Sequence, residues 1–300
     1  MPLLHSDRIV GSDGQIIRAD VHGPDQTPKN LPIVVICHGF KGFKEWGFFP
    51  WVAEELGRRG FAAVRFDFSH NGVGDNAETF ERLDLFAKNT YSRELEDLDK
   101  VLGWVRGPLR RRIANCDPER VGLLGHSRGG GIVVVRALED SGIRAVATWA
   151  GISNFERDYL ATKDQWELLG QIEIFNSRTG QRMPIDLDLI GDIESNRERF
   201  ALKQRLSSLH CPYLIVHGEK DESVGVDEAH LLGQYAPSHL VTTHIVADTG
   251  HTFDCVHPFK GSTPALHEAI GVTAEFFKRH LKEDANRSAG ARSNRTARGP

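Results

Sequence analysis

Cysteine is scarce in this 300-residue chain: there are four, Cys37, Cys116, Cys211 and Cys255, and none stands in C-x-x-C spacing. That scatter excludes a zinc ribbon and a disulfide-stapled scaffold, and the thiols read as buried and reduced, as in a cytoplasmic protein. No apolar run approaches the ~20 residues of a membrane-spanning helix. The opening MPLLHSDRIVGSDGQ has no basic segment followed by an apolar stretch, so neither a span nor a secretory signal is expected. Positive charge is not in excess either. With 37 Lys and Arg against 41 Asp and Glu, the formal net charge is −4, which gives no footprint for nucleic acid or an anionic membrane. Neither G-x-G-x-x-G nor G-x-x-x-x-G-K-[ST] occurs, so no nucleotide is indicated. Asp67 and Asp75 in RFDFSHNGVGD lack the companion ligands of a metal site and read as loop-fixing carboxylates. No metal or other cofactor is called for.

What the chain does have is alternation. DRIVGSDGQIIRADVHG opens with two strand-like runs around Ser12, Asp13 and Gly14, a hairpin signature. Near-continuous apolar runs follow at 31–40, 60–69, 120–127, 144–151, 211–219 and 239–248, as expected of strands covered on both faces. Between them, FPWVAEELGRRG, SRELEDLDKVLGWVRG, GGIVVVRALEDSG, DEAHLLGQYA and ALHEAIGVTAEFFKRHL carry apolar residues at helical spacing. The fold class is α/β, a mostly parallel doubly wound sheet with helices on both faces. Residues 152–206 interrupt the alternation with two helix-like stretches, NFERDYLATKDQWELLG and DLIGDIESNRERFALKQRLSSL, around QIEIFNSRTGQRMPI with its turn near Gly180. We read them as a cap inserted between core segments 1–151 and 207–282, over the carboxyl edge of the sheet. Residues 283–300, rich in Arg, Ser, Ala and Gly without apolar period, read as a disordered tail.

The segment VGLLGHSRGGG, residues 121–131, places a serine at a sharp strand-to-helix turn. Such a turn projects the hydroxyl of Ser127 into a site, and side chains at Gly125 and Gly129 would collide with it. A hydroxyl needs a base to become a nucleophile. TGHTF puts His251 just after the last strand-like run, and YLIVHGEKDESV puts Asp221 just after an earlier one, with Glu219 and Glu222 as rival acids and His126, His217 and His257 as rival histidines. The oxyanion formed on attack needs two N–H donors. Arg128, opening the helix, supplies one, and Phe40 in VVICHGFKG the other.

With these residues in place the sequence resembles the α/β-hydrolase superfamily, in its branch of small carboxylesterases, cinnamoyl (feruloyl) esterases and dienelactone-hydrolase-like proteins. The resemblance rests on HGFKGFKEWGFFPWVAEELGRRGFAAVRFDFSHNGVGD, GHSRGG, VHGEKDESV and TGHTFDCVHPF and covers residues 7–282. Ser127 stands where true dienelactone hydrolases carry cysteine, which argues against that activity. The expectation is a serine carboxylesterase acting through an acyl-enzyme on small-to-medium or aromatic acyl esters. A thioesterase, an aminopeptidase-like hydrolase and a ligand-binding receptor on the same scaffold are the alternatives. For substrate contacts we single out His126 beside the nucleophile, and Trp166 and Met183 in the cap. Of the aromatic group Phe40, Phe43, Trp46, Phe48, Phe49 and Trp51, core packing accounts for most, leaving one or two for substrate.

Overall fold

The computed structural model describes residues 3–24, 28, 30–76, 79–113, 115–157, 159 and 162–282; the tail, 283–300, lies outside them. The apolar runs become strands in chain order. β1 (Leu3–Val10) and β2 (Ile16–His22) form the hairpin, and β3 (Leu31–Cys37), β4 (Ala62–Phe66), β5 (Cys116–His126) and β6 (Ile143–Trp149) follow. β7 (Gln171–Asn176) and β8 (Gln181–Asp186) pair only with each other, before β9 (Tyr213–Gly218) and β10 (Val241–Val246) return to the main sheet. The eight strands of that sheet lie in the order β1-β2-β4-β3-β5-β6-β9-β10. β1–β2 and β2–β4 pair antiparallel, and every later pair is parallel.

The helices are α1 (Phe49–Arg58), α2 (Leu83–Ala87), α3 (Tyr91–Arg106), α4 (Pro108–Arg112), α5 (Arg128–Glu139), α6 (Lys163–Leu169), α7 (Asp188–Ser195), α8 (Arg197–Phe200), α9 (Leu202–Arg205), α10 (Val226–Tyr235) and α11 (Pro264–Lys282). α1 starts with Pro50 in its first turn, where the missing N–H costs nothing, and Thr90 Oγ1 caps α3 by accepting from Arg93 N at 3.2 Å. The strands show why their sequences do not alternate. Every residue of β3 is buried, because Ile33, Val35 and Cys37 face a core shared with α3, α5 and α10, while Val34 and Ile36 face one shared with α1 and α11. All four cysteines are buried and unpaired.

The segment 152–206 differs in detail from its sequence reading. Among the described residues of NFERDYLATKDQWELLG only α6 is an α-helix, and the polar stretch after the β7–β8 hairpin is three short α-helices and a 3-10 turn, Leu206–Ser208, rather than one helix. The break at Asn196 has a local cause: its amide donates to Asp192 O and Oδ1, both at 2.9 Å, and the residue leaves helical geometry at φ −121°. The apolar residues of these helices, Leu189, Ile190, Ile193 and Phe200, join the core on the α3 and α5 face. Hydrogen bonds tie the segment to the body, Gln181 with both Phe80 N and Phe80 O, and Ser92 N with Asp192 Oδ2.

Candidate active site

Ser127 lies between β5 and α5 with φ 57° and ψ −122°, a backbone that a residue with a side chain rarely adopts. The turn is possible because its neighbours lack side chains. A Cβ on Gly125 would stand 2.2 Å from Gly129 O, and one on Gly129 2.4 Å from His38 O. The strain is locked by the sheet, since Ser127 N donates to Trp149 O at 2.9 Å and Ser127 O accepts from Gly130 N at 2.9 Å.

Asp221 and His251 come together from the loops after β9 and β10. Asp221 Oδ1 accepts from Ser223 N and Val224 N, both at 2.9 Å, and Oδ2 accepts from His251 Nδ1 at 2.8 Å. His217 Nε2, which donates to Val224 O at 2.8 Å, also lies 3.3 Å from Oδ2. Burial alone would raise the pKa of Asp221, but the hydrogen bonds from His217 and His251 outweigh it and hold the carboxyl well below the usual carboxylate range. It is therefore ionised and can only accept, so His251 Nδ1 carries the proton and Nε2 is left as the acceptor. Glu219 instead accepts from Asp248 N, and His257 Nδ1 accepts from Gly47 N. Among the described residues no hydrogen bond joins Ser127 Oγ to His251, although both line the same two cavities.

His126 lies behind His251, with ring centroids 4.7 Å apart and Nε2 at 2.9 Å from His251 O. Burial pushes the His126 pKa down to about 3, so the ring is neutral and Nε2–H donates to that carbonyl. Phe40 and Arg128 flank the serine. The Arg128 N–H is at the first position of α5, where the helix offers it no acceptor. The Arg128 guanidinium is buried, 3.2 Å from Glu94 Oε1 and stacked over Phe40 and Tyr91 at 4.2 and 4.8 Å. Asp67, read as loop-fixing, accepts from Lys44 N at 2.8 Å and so anchors the segment that follows Phe40.

The two cavities meet at Phe40, Lys41, Ser127 and His251. One, about 400 Å³, runs between Trp46, Phe49, His126, Cys255, Val256 and His257, with Asn176 and Arg178 of the β7–β8 hairpin reaching in. The other, about 420 Å³, is bounded by Tyr91, Arg128, Ile152, Arg157, Tyr159, Ser223 and Val224. His126 is thus on the wall. Trp166 and Met183 are not, and this corrects their reading as substrate contacts. Both are fully buried inside the inserted segment, where Trp166 Nε1 donates to Ile185 O at 3.0 Å and Met183 Sδ accepts from Asn176 Nδ2 at 3.4 Å. Their apolar bulk serves the segment's own packing. The polar turn that Asn176 and Arg178 belong to is what meets the cavity, and nothing in its composition marks it. Three of the aromatic group, Phe40, Trp46 and Phe49, reach the wall, while Phe43 and Phe48 are core.

Among known proteins, the chain is 29% identical over 117 residues to an uncharacterized 31.7 kDa protein of Escherichia coli, a match covering 39% of this chain and 36% of that protein. It is 26% identical over 125 residues to the uncharacterized peptidase YtmA of Bacillus subtilis, covering 41% and 44%. The chain thus spans less than half the length of these curated relatives. In fold it is similar to the ferulic acid-bound structure of Est1E from Butyrivibrio proteoclasticus, with a TM-score of 0.69 and 19% identity over 92% of this chain and 99% of that one. The described helices include none long and apolar enough to cross a membrane. The model of the alpha/beta hydrolase family matches residues 34–261, from within β3 to beyond His251, and the chain belongs to that family.

Proposed function

We propose that the protein is a serine carboxylic-ester hydrolase. The observation that carries this reading is Ser127 held at a strained backbone where two cavities meet, beside a histidine whose Nδ1 is fixed by an ionised Asp221. In the proposed reaction His251 Nε2 takes the Ser127 proton as Oγ bonds to the ester carbonyl carbon. The N–H groups of Phe40 and Arg128 receive the developing oxyanion. The C–O bond then breaks, and His251 returns the proton to the leaving alcohol. Water, deprotonated by the same histidine, releases the acid from the acyl-serine. The two cavities match the two halves of an ester, and the aromatic walls of one favour a small-to-medium or aromatic group.

A fluorophosphonate probe should label wild-type protein at Ser127 and leave Ser127→Ala unlabelled. The same substitution should lower kcat on para-nitrophenyl esters by on the order of 10⁴ or more with the fold intact. Near-normal turnover by folded Ser127→Ala would defeat the reading. Thioesters and peptide amides belong in the same panel, since one triad serves each acyl group.

A further inference from the structure

The described lining residues of the two cavities at Ser127 include no Asp or Glu, yet they include Lys41 in both, Arg178 in one, and Arg128 and Arg157 in the other. That is not the general character of the molecule, whose net charge is −4. Two other cavities mix the signs, Glu156 with Arg197 and Lys203 in one, and Asp75 and Glu81 with Arg8, Arg18 and Arg82 in the other. Three of the four cations at the site are already engaged, Arg178 lying over the rings of Phe43 and Phe80 at 5.6 and 5.9 Å. Arg128 is paired with the buried Glu94, and Arg157 donates to Ser223 O at 2.9 Å and lies 3.8 Å from Glu228 Oε1.

Lys41 is different. It follows Phe40 directly, at φ 57° in a turn closed by Gly42 N donating to Gly39 O at 3.0 Å, and it faces both cavities at their junction. It is half-buried, makes no ion pair among the described residues, and burial pushes its pKa down. An ammonium that gives up hydration without a counter-charge is costly in an empty site and becomes favourable when a ligand brings the charge.

We infer that the ester accepted here carries a second, ionised carboxylate, and that Lys41 pairs with it at the junction of the two cavities. A single ammonium matches a single negative charge. The inference rests on the ester-hydrolase reading above, and the test separates the two.

Mono-para-nitrophenyl adipate and its methyl ester share one chain and one leaving group, and differ only in whether the distal carboxylate is free or masked. The quantity to read is the ratio of kcat/KM for the free acid to that for the methyl ester, which a general loss of activity leaves unchanged. In wild type the ratio should exceed about 10 at low salt and fall as ionic strength rises. Lys41→Met should bring it near one, Lys41→Glu below one, and Lys41→Arg should keep most of the preference. A wild-type ratio near one, or a ratio that Lys41→Met leaves unchanged, overturns the inference while the hydrolase reading stands. If neither ester is turned over and Ser127 takes no fluorophosphonate, the reading beneath it fails and this inference with it. The salt dependence in wild type needs no variant and decides the matter should a variant not fold.

Discussion

At the scale of single residues, the Asp221 carboxylate shows how a loop acid is kept ready. Its two oxygens accept from two backbone N–H groups and from His251 Nδ1, with His217 Nε2 3.3 Å away, and the burial that would otherwise favour protonation is overcome. In the proposed mechanism its task is to hold His251 in one tautomer and to balance the imidazolium. Asp221→Asn keeps the shape but presents an amide that can donate to Nδ1 and fix the wrong tautomer. It should lower kcat by on the order of 10⁴, while Glu219→Gln should change it only a few-fold. Steady-state kinetics on one para-nitrophenyl ester checks both, and the reverse pattern would move the assignment to Glu219. The sequence puts Asp221 on the loop after a strand run with Glu219 and Glu222 as rivals, and the hydrogen bond with His251 Nδ1 falls to Asp221 in the structure. The importance of Lys41 was not legible in the sequence. A sequence displays the lysine, but only the packed structure shows that it lines both cavities and makes no ion pair among the described residues.

At the scale of elements, the strand-to-helix turn and the inserted segment were unequally legible. The turn announces itself because its chemistry requires particular residues at fixed offsets. Gly129 is one of them, with His38 O and Cys37 O at 2.4 and 2.7 Å from where its Cβ would be. Both neighbours are backbone, of the end of β3 and of the loop that carries Phe40, so they cannot give way as a side chain would. Gly129→Ala should destabilise the protein by about 2 kcal/mol or more, at the upper part of the range for overpacking. Gly103, on the exposed face of α3, has open space around its Cβ, and Gly103→Ala should stabilise by about 0.5–1 kcal/mol through helix propensity. Chemical denaturation of the pair reads both signs, and a Gly129→Ala protein as stable as wild type would mean that the turn is not under the constraint described. The inserted segment follows no such rule. Its apolar residues Trp166 and Met183 look like pocket walls in sequence, yet such residues serve equally to fill a small core, and here they do. Its break at Asn196 comes from a side chain competing for a backbone carbonyl, which helical periodicity cannot register.

At the scale of the whole molecule, the same burial that shapes the site makes the fold sensitive to acid. His22, His38 and His70 are buried, and that burial pushes each pKa down from 6.5 to about 4; His126 goes to about 3. The folded protein therefore holds these rings neutral where the unfolded chain would protonate them. Above pH 6.5 both states are neutral and the stability is complete. As the pH falls from 6.5 toward 4 the unfolded state takes up protons first, and stability is lost. For a ring displaced to pKa 4 the loss at pH 5 is about 2 kcal/mol, and four such rings together rival the few to fifteen kcal/mol that hold a typical domain folded. Thermal melts should show Tm nearly level from pH 8 to 7 and dropping steeply between pH 6.5 and 5. His22 allows the cause to be isolated, because it stands away from Ser127 and its Nε2 accepts from Arg65 Nε at 3.1 Å, a bond that requires the neutral ring. His22→Gln offers an amide oxygen that can accept from the same guanidinium but does not titrate. The variant should lose less Tm than wild type between pH 7 and 5, even if it begins slightly lower. A wild-type Tm that stays constant across that interval, or a drop that His22→Gln leaves at full size, would show that these histidines are not what couples the fold to protons.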